Sequence, residues 1–580
     1  MINTKIAKPY NSDRDDPVSK GKYSAIAYRW GPWAILLLLL IRCAVEGLQA
    51  TAGLEAAPDI DSWRDVGFIQ GFLDGNWFGD PAYAGEWRWY PPLMHGLGAL
   101  GVWLSGASPM SFWVRIGPWV NLLAPLTFFL MNARLLGGAA AAAVATAVFV
   151  LFNGAFTYPY NATSYTWQPL TPNLTLPLSL FFLGITLIHA RGSSARMRDA
   201  VVIGSVIGIV FLAHTVSAIL LSAVITTTAF SQRGIRTETL LWLAVVALVE
   251  LGWGLLFLGP LLVHYRLHIA NPAPGAWMAA LMEPRFGSWL RLGALNLPGV
   301  LAAAGAWFLR RWAPVDNRTV VILGTWIIGC LTFLVRHEVC ATSGAKGAVC
   351  ETFVIPAHHF QFYLAAAWAS VMGHTIWQGA LWWAQPLPGR PSSLKVAVLS
   401  ATAVVTLAVG TFWFSFRPYA VDVYHWVRRT VQPSFEIRTR DQKERPLDIA
   451  SYNWIITHTR PRDLFVTRLD TDDAVFAVLS AGRRLVAAPL LFSNPYVDWV
   501  SREERRVRFI AAISGQNAGS HRALCDLLTE TGGNTAFFLL PNEDLVNTHA
   551  LAPVWYGPYN SLYRVNPITC GPDNPIDNKG

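Results

Sequence analysis

Charged side chains are scarce in this chain of 580 residues: Asp, Glu, Lys and Arg make up 14% of it, against 53% hydrophobic residues. Soluble domains carry about 25% charged residues, so this scarcity excludes an ordinary soluble protein. Separate apolar runs of about 17 to 25 residues recur along the chain, which is the length needed to cross the hydrocarbon of a bilayer. The composition therefore predicts a polytopic α-helical membrane protein.

Several well-known motifs are also missing. The chain has no Walker A sequence, no G-x-G-x-x-G after a strand, no H-E-x-x-H and no Cys/His zinc spacing. The net charge of +9 does not indicate nucleic acid as a partner, because the basic residues lie mostly in short loops between apolar runs. In such loops they set the orientation of membrane spans.

The basic loops give a consistent membrane topology. By the positive-inside rule, loops such as NARLLGG and HARGSSARMRD lie in the cytoplasm, as does the N-terminal tail 1–31. The membrane domain is then 32–416, with its first outer loop at 51–111. About 11 spans are predicted, near 32–50, 112–132, 137–153, 174–190, 200–213, 216–230, 239–262, 292–309, 319–335, 360–380 and 395–416. An alternative joins 200–213 and 216–230 into one tilted helix and inverts everything downstream, but the charges of the later loops argue against it.

The character of the sequence changes from about Arg417. The segments RDLFVTRL and TAFFLLP are typical of short buried strands. TDDAVFAVLSAG has an acidic start and a glycine stop, as a capped helix does, and NPYVDWVSREERRVRFIAAIS predicts a second helix entered through a turn. We therefore predict a small α/β domain at 417–580. An odd number of spans places it outside a bacterial cytoplasmic (inner) membrane, in the periplasm or the extracellular space.

The six cysteines fit this topology. Cys43 and Cys330 fall within spans, whereas the other four fall on the outer side, where disulfides persist. Two disulfides are predicted there, Cys340–Cys350 and Cys525–Cys570. Four free thiols are the alternative, since pairing does not follow from sequence alone.

The first outer loop contains the clearest polar cluster, DIDSWRDVGFIQGFLDGNWFGDPAYAGEWRWYPPL, which begins at Asp59. Asp59 and Asp61 form a D-x-D, and the apolar residues that follow predict an amphipathic helix at the membrane surface, with Asp61 or Ser62 as its N-cap. The positive helix end favours an ionised carboxylate, which is suited to deprotonating a hydroxyl or to binding a divalent cation, Mg²⁺ or Mn²⁺. Alternatively, Asp61 is only a cap and Asp59 a solvated loop acid.

The order of these features resembles the first luminal or periplasmic loop of GT-C glycosyltransferases, which use polyprenyl-phosphate sugars. The shared features are an anchor, a D-x-D, a helix ending in DG, and WRWYPPL; the likeness covers Pro32–Ala190 and is greatest to mannosyltransferases with a D-x-D. The later segment GRRLVAAPLLFSNPYVDWVSRE is similar to the tail of galactan arabinofuranosyltransferases. The aminoarabinose-transferase branch has adjacent acids instead of a D-x-D.

The resemblance implies an inverting transfer with a first-loop Asp as general base. Arabinofuranose, mannose or a similar sugar would move from a polyprenyl-phosphate donor in the membrane lipid to a glycan, lipid or protein acceptor. The matching positions are Asp59 and Asp61. The distance to Gly75 favours Asp61, but the departure from the aminoarabinose branch leaves the choice open.

Further residues are candidates for binding the two substrates. The acid and aromatic residues before the Pro-Pro turn suit an acceptor or sugar: Glu86, Trp87, Trp89 and Tyr90. Cationic groups predicted on the same face suit the donor phosphate: His358, His359, Arg336 and His214. The alternative for these four is ordinary packing or snorkelling at span ends.

Two other classes of function are alternatives. A carrier or flippase of a lipid-linked sugar would distribute acids and bases through span interiors and would have broken helices. A polysaccharide export or ligation component would have no transferase activity of its own. The clustering of acids in the first loop favours the enzyme.

Overall fold

The computed structural model describes residues 22–57, 60–151, 172–271, 315–343, 358–384, 448–468, 472–514, 518–544 and 550–566. Asp59, Cys350, Cys570 and the predicted spans near 292–309 and 395–416 lie outside these ranges. Within them the first part of the chain is helical. Its helices are α1 Lys22–Thr51, α2 Ile60–Leu73, α3 Leu93–Ser105, α4 Pro109–Asn121, α5 Leu123–Leu135, α6 Ala139–Leu151, α7 Pro172–Arg191, α8 Met197–Ala213, α9 Thr215–Arg233, α10 Thr237–Tyr265, α11 Asn317–Ser343 and α12 His358–Ala384.

Six stretches in the described ranges are long and apolar enough to cross a membrane. This agrees with a polytopic membrane protein, whereas the predicted count of about 11 is not reached within the described residues. Two predicted spans, near 137–153 and 200–213, correspond to the shorter helices α6 and α8. The predicted break at His214 is confirmed: this residue is extended, ending α8 and preceding α9.

The predicted span near 112–132 is divided into α4 and α5, which meet at Leu122. Pro125 explains the division. Its nitrogen carries no hydrogen, so it cannot bond to the carbonyl of Asn121 one turn earlier, and its ring crowds that carbonyl. The two helices still form one apolar stretch, Pro109–Leu135.

The chain from Asp448 forms a five-stranded mixed sheet flanked by helices. Its strands are β1 Leu464–Thr467, β2 Arg484–Leu485, β3 Ala536–Pro541, β4 Leu551–Tyr556 and β5 Asn560–Val565, in the order β2-β1-β3-β5-β4. β1 is parallel to β2 and β3, whereas β5 is antiparallel to β3 and β4. The helices are α13 Ile449–His458, α14 Asp472–Ser480, α15 Trp499–Ser514 and α16 Ala518–Glu530. The predicted strands and helices of this region are therefore present; the predicted boundary at Arg417 lies outside the described residues.

Helix α2 differs from the prediction of an amphipathic helix on the membrane surface. Residues 62–71 are all buried, polar and apolar alike. Trp63, Val66 and Ile69 belong to one core cluster with residues of α4 and of the C-terminal region. The prediction was wrong because the C-terminal region covers the polar face of α2, the face that the sequence pattern would leave to solvent.

Candidate functional site

Asp61 is the exposed end of α2. The helix begins at Ile60, so Asp61 lies in its first turn rather than at the predicted N-cap, but still at the positive helix end. Its side chain is 56% exposed, and Arg64 Nη1 donates a hydrogen bond of 3.0 Å to Asp61 Oδ1. Desolvation by the surrounding protein raises the pKa of Asp61, against the opposing effect of Arg64. This carboxylate is therefore accessible, held by a partner and more basic than an ordinary Asp.

Asp65 lies one turn further along α2 and is fully buried. Arg64 Nη2 and Nε donate to Asp65 Oδ1 at 2.8 and 3.1 Å, and His95 Nε2 of α3 lies 3.2 Å from the same oxygen. Burial alone would raise the pKa of Asp65, but Arg64 and His95 hold it below its ordinary value. Arg64 therefore bridges an exposed carboxylate and a buried one.

The aromatic residues Trp89 and Tyr90 lie beside this ion-pair network. The guanidinium of Arg64 is 4.4 Å from the ring centroid of Tyr90, and the ring of Trp89 meets that of Tyr90 edge-on at 5.3 Å. Both aromatic side chains are half-buried. Their predicted role in binding sugar stays a prediction, and their position near Asp61 is compatible with it.

Glu86 and Trp87 instead connect the first loop to other parts of the chain. Glu86 Oε2 accepts a hydrogen bond of 2.7 Å from Tyr265 at the end of α10, and Glu86 Oε1 lies 3.1 Å from Arg502 Nη2 of α15. The Trp87 N–H donates to Tyr265 Oη at 2.8 Å. Their predicted role in acceptor binding stays a prediction, but the carboxylate of Glu86 and the backbone N–H of Trp87 already have partners in the protein.

Asp80 forms a second connection to the C-terminal region. Its Oδ1 accepts from the backbone of Ala82 at 2.8 Å, and its Oδ2 accepts from Asn494 Nδ2 at 3.1 Å. The same Asn494 amide donates to the Trp87 carbonyl at 3.0 Å. Burial raises the pKa of Asp80 to about 6, although these hydrogen bonds oppose the rise.

The predicted phosphate-binding histidines come from two separate helices. His214 Nε2 lies 3.0 Å from His359 Nδ1, which joins the break between α8 and α9 to the start of α12. His214 Nδ1 is buried and has no hydrogen-bond partner within the described ranges. Arg336 lies in α11, one turn beyond Phe333, which stacks on Phe360 of α12 at 4.3 Å. Arg336 therefore lies at the same end of this helix pair as His359; the side chain of His358 is outside the described part.

Packing places the histidine pair and the first loop at the same end of the helices. Phe211 and Leu212, just before His214, belong to a cluster that also contains Trp87 and Leu93 of the first loop. That the loop acids and the histidines share one face of the membrane domain stays a prediction, and this contact is compatible with it.

The described cysteines are consistent with the predicted topology. Cys43 in α1 and Cys330 in α11 are buried and do not belong to a disulfide, whereas Cys525 in α16 is bonded in a disulfide. Cys340 lies in α11 with its side chain outside the described part, and Cys350 and Cys570 lie outside it altogether. The two predicted pairings stay predictions.

The acids of the first loop are the predicted ligands of a divalent cation. Among the described residues, no group of three or more His, Cys, Asp or Glu side chains is placed to hold a metal ion. Asp61 is already paired with the cationic Arg64. The predicted Mg²⁺ or Mn²⁺ site at Asp59 and Asp61 stays a prediction, because Asp59 lies outside the described ranges, and the transfer proposed below does not depend on it.

Sequence reasoning did not single out several residues of this site. Arg64 and His95 are separated by the whole aromatic loop, and Asn494 and Arg502 lie about 400 residues beyond the acids that they contact. The local sequence D-x-x-R, which starts at Asp61, indicates that Arg64 can reach Asp61, because residues three apart share a helix face. It does not indicate the contact of Arg64 with the adjacent Asp65. Nothing local indicates the contacts of Asn494 or Arg502.

No protein-family model matches this chain, and no curated protein matches it in sequence. Solved structures do match. A mutant of the mycobacterial arabinofuranosyltransferase AftD aligns with a TM-score of 0.51 at 14% identity, over 93% of this chain and 42% of that one. ArnT from Cupriavidus metallidurans aligns with a TM-score of 0.49 at 15% identity, over 91% of this chain and 97% of that one. The oligosaccharyltransferase AglB from Archaeoglobus fulgidus aligns with a TM-score of 0.46 at 13% identity, over 89% and 70%. The resemblance to GT-C glycosyltransferases seen in the first loop is thus confirmed at the level of the fold.

Proposed function

We propose that this chain is an integral membrane glycosyltransferase that moves a sugar from a polyprenyl-phosphate donor to an acceptor hydroxyl, with Asp61 as general base. The observation that carries the proposal is Asp61 itself. It presents an exposed, Arg64-paired carboxylate at the positive end of a helix whose next ten residues are buried. The likeness to the fold of an arabinofuranosyltransferase adds support, and it favours arabinofuranose over mannose as the first sugar to test.

The transfer is a single displacement. Asp61 takes the proton of the acceptor hydroxyl, and the freed oxygen forms a bond to the anomeric carbon of the sugar. The bond from that carbon to the phosphate oxygen breaks, and its electron pair leaves with the lipid phosphate. Because attack and departure occur on opposite faces, the anomeric configuration inverts. The raised pKa of Asp61 favours proton acceptance near neutral pH.

The donor phosphate would bind where His214, His359 and Arg336 approach the first loop. A histidine pair that carries one extra proton, with one ring nitrogen accepting from the other at 3.0 Å, and a guanidinium supply positive charge and N–H donors, which form strong hydrogen bonds to phosphate oxygens. The packing of Phe211 and Leu212 on Trp87 and Leu93 supports a single site that contains both the histidines and the loop.

Orientation follows from two further observations. The disulfide at Cys525 suits an oxidising compartment, which for a bacterium is the periplasm or the cell exterior. The contacts of Asp80 and Glu86 with the C-terminal region support the same side for the first loop. We infer that a domain at 417–580 and the candidate active site both lie outside the cytoplasmic membrane, where a glycan, lipid or protein acceptor is available.

The test is transfer from purified polyprenyl-phosphate sugars, arabinofuranose and mannose in turn, by enzyme in proteoliposomes. Asp61→Asn should lower turnover by about a hundred- to ten-thousandfold, since it removes an essential base. The matched control is Asp498→Asn, which changes an exposed acid that only caps the start of α15. Wild-type turnover in Asp61→Asn would refute Asp61 as the base.

A carrier or flippase is a second candidate, because the break between α8 and α9 at a histidine is typical of transporters. The two candidates differ in their need for acceptor. A flippase would move labelled lipid-linked sugar across the bilayer without acceptor, and it would not release polyprenyl phosphate.

A further inference from the structure

We propose that Arg64, Asp65 and His95 are positioning residues that hold the carboxylate of Asp61 in one orientation toward the acceptor hydroxyl. The proposal rests on the proposed function, in which Asp61 takes the proton. None of the three would touch either substrate, since they act on the reaction only through Asp61.

The guanidinium of Arg64 contacts two carboxylates at once. One arm of its planar guanidinium, Nη1, donates to exposed Asp61 at 3.0 Å, and the other edge, Nε and Nη2, donates to buried Asp65 at 3.1 and 2.8 Å. Aromatic rings limit its movement: the centroid of Tyr90 is at 4.4 Å and that of Phe492 is at 5.4 Å. The guanidinium is therefore fixed at one edge and presents its remaining arm to Asp61.

His95 in turn holds the carboxylate of Asp65. His95 lies on α3, is fully buried, and packs its ring 4.9 Å from that of Phe68 on α2. With Nε2 protonated it donates to Asp65 Oδ1 at 3.2 Å. The carboxylate that fixes Arg64 is thus itself fixed by a second helix, so the orientation of Asp61 depends on how α3 packs against α2.

Stability alone does not account for the network of Asp61, Arg64, Asp65 and His95. Buried ion pairs are often replaced by apolar residues without loss of stability. This network contains five polar residues if Tyr90 is included, and its only exposed acid is the proposed base. The other charged group close to His95 is Arg88, from the loop between α2 and α3.

The first test compares turnover per folded enzyme with the Michaelis constants. Arg64→Lys keeps the charge but cannot hold both carboxylates with one planar group, and Asp65→Asn keeps the shape without the charge. Each should lower kcat by about ten- to a hundredfold, because a misplaced catalytic group costs rate more than binding. The KM values for donor and acceptor should stay within about threefold. Wild-type kcat per folded enzyme in both variants, with only a lower Tm, would show a structural role and overturn the proposal.

The second test uses His95. His95→Phe removes the donor to Asp65 and should lower kcat as the other variants do. His95→Gln retains an N–H at a similar distance from the backbone and should restore at least part of it. Equal losses in the two variants would mean that the hydrogen bond is not what matters.

A double-mutant cycle separates this inference from the proposed function. If Arg64 acts only through Asp61, then Arg64→Lys should have no further effect on the residual turnover of Asp61→Asn. A full further loss in the double variant would overturn the positioning role while leaving Asp61 as the base. Wild-type turnover in Asp61→Asn alone would instead overturn the proposed function.

Discussion

The close contact between α2 and α14 can be tested with one methyl group. A Cβ added at Gly67 would lie 2.2 Å from the carbonyl oxygen of Leu479 and 3.0 Å from its carbon. Both are backbone atoms, so no side-chain rotation relieves the clash. To bring the nearest contact from 2.2 Å to 3.0 Å, the two helices must separate by about 0.8 Å.

The expected cost of Gly67→Ala follows from this displacement. Overpacking of a core costs about 1 to 3 kcal/mol, and weakening the hydrogen bond from Ser480 Oγ to the Trp63 carbonyl, now 2.8 Å, costs about 1 kcal/mol more. The higher helix propensity of Ala returns up to about 1 kcal/mol. A net loss of about 2 kcal/mol remains, and α2 carries Asp61, so turnover should fall as well.

Gly71→Ala is the matched control in the same helix. Its Cβ would meet nothing closer than 3.6 Å, at Arg88 Nη2 and Pro81 Cβ, which is ordinary van der Waals contact. This variant should be neutral or slightly stabilised. The assay is thermal unfolding of the two purified variants in detergent, followed by tryptophan fluorescence, with sugar transfer measured on the same samples. If the two variants unfold at the same temperature, the close approach of α2 and α14 is wrong.

Two further predictions concern titration and the donor. Burial raises the pKa of Asp80 to about 6, so between about pH 4 and pH 6 the folded protein holds a proton that the unfolded chain has released. Asp80 should therefore lower the free energy of unfolding by about 3 kcal/mol across that range. Asp80→Asn should remove this part of the fall in Tm with pH, whereas an unchanged fall would assign it to other groups. His359→Ala should raise the KM for lipid donor more than it lowers kcat. The control is His374→Ala, about 22 Å further along α12, which should change neither the KM nor kcat. Equal KM values in the two variants would place the donor phosphate elsewhere.

The sequence predicted local features well where short-range chemistry determines them. The break at His214, the strands β1 and β3, and a helix after the D-x-D are all present. In each case neighbouring residues carry the signal, through hydrophobic periodicity or helix start and stop residues. The division at Leu122 also has a local cause in Pro125, which the apolar run around it concealed.

The environment of α2 was not predictable in the same way. Its apolar positions Val66 and Ile69 predict one buried face, and that face is buried. Arg64 and Asp65 on the other face are buried too, because Phe492 and its neighbours from the C-terminal region cover them. The sequence pattern indicates which residues tolerate solvent, but it does not show that a segment about 400 residues away removes the solvent.

That separation has a consequence for biosynthesis. Asn494 donates hydrogen bonds to both Asp80 and the Trp87 carbonyl, and it follows Asp80 by 414 positions. While the ribosome makes the intervening helices, the first loop has neither the amide of Asn494 nor the guanidinium of Arg483 that pairs with Asp74 at 3.1 Å. The loop can reach its final arrangement only after Asn494 has been translated and the segment that carries it has docked. Under the proposed function, a copy that ends before Asn494 should be inactive, because its first loop lacks these contacts.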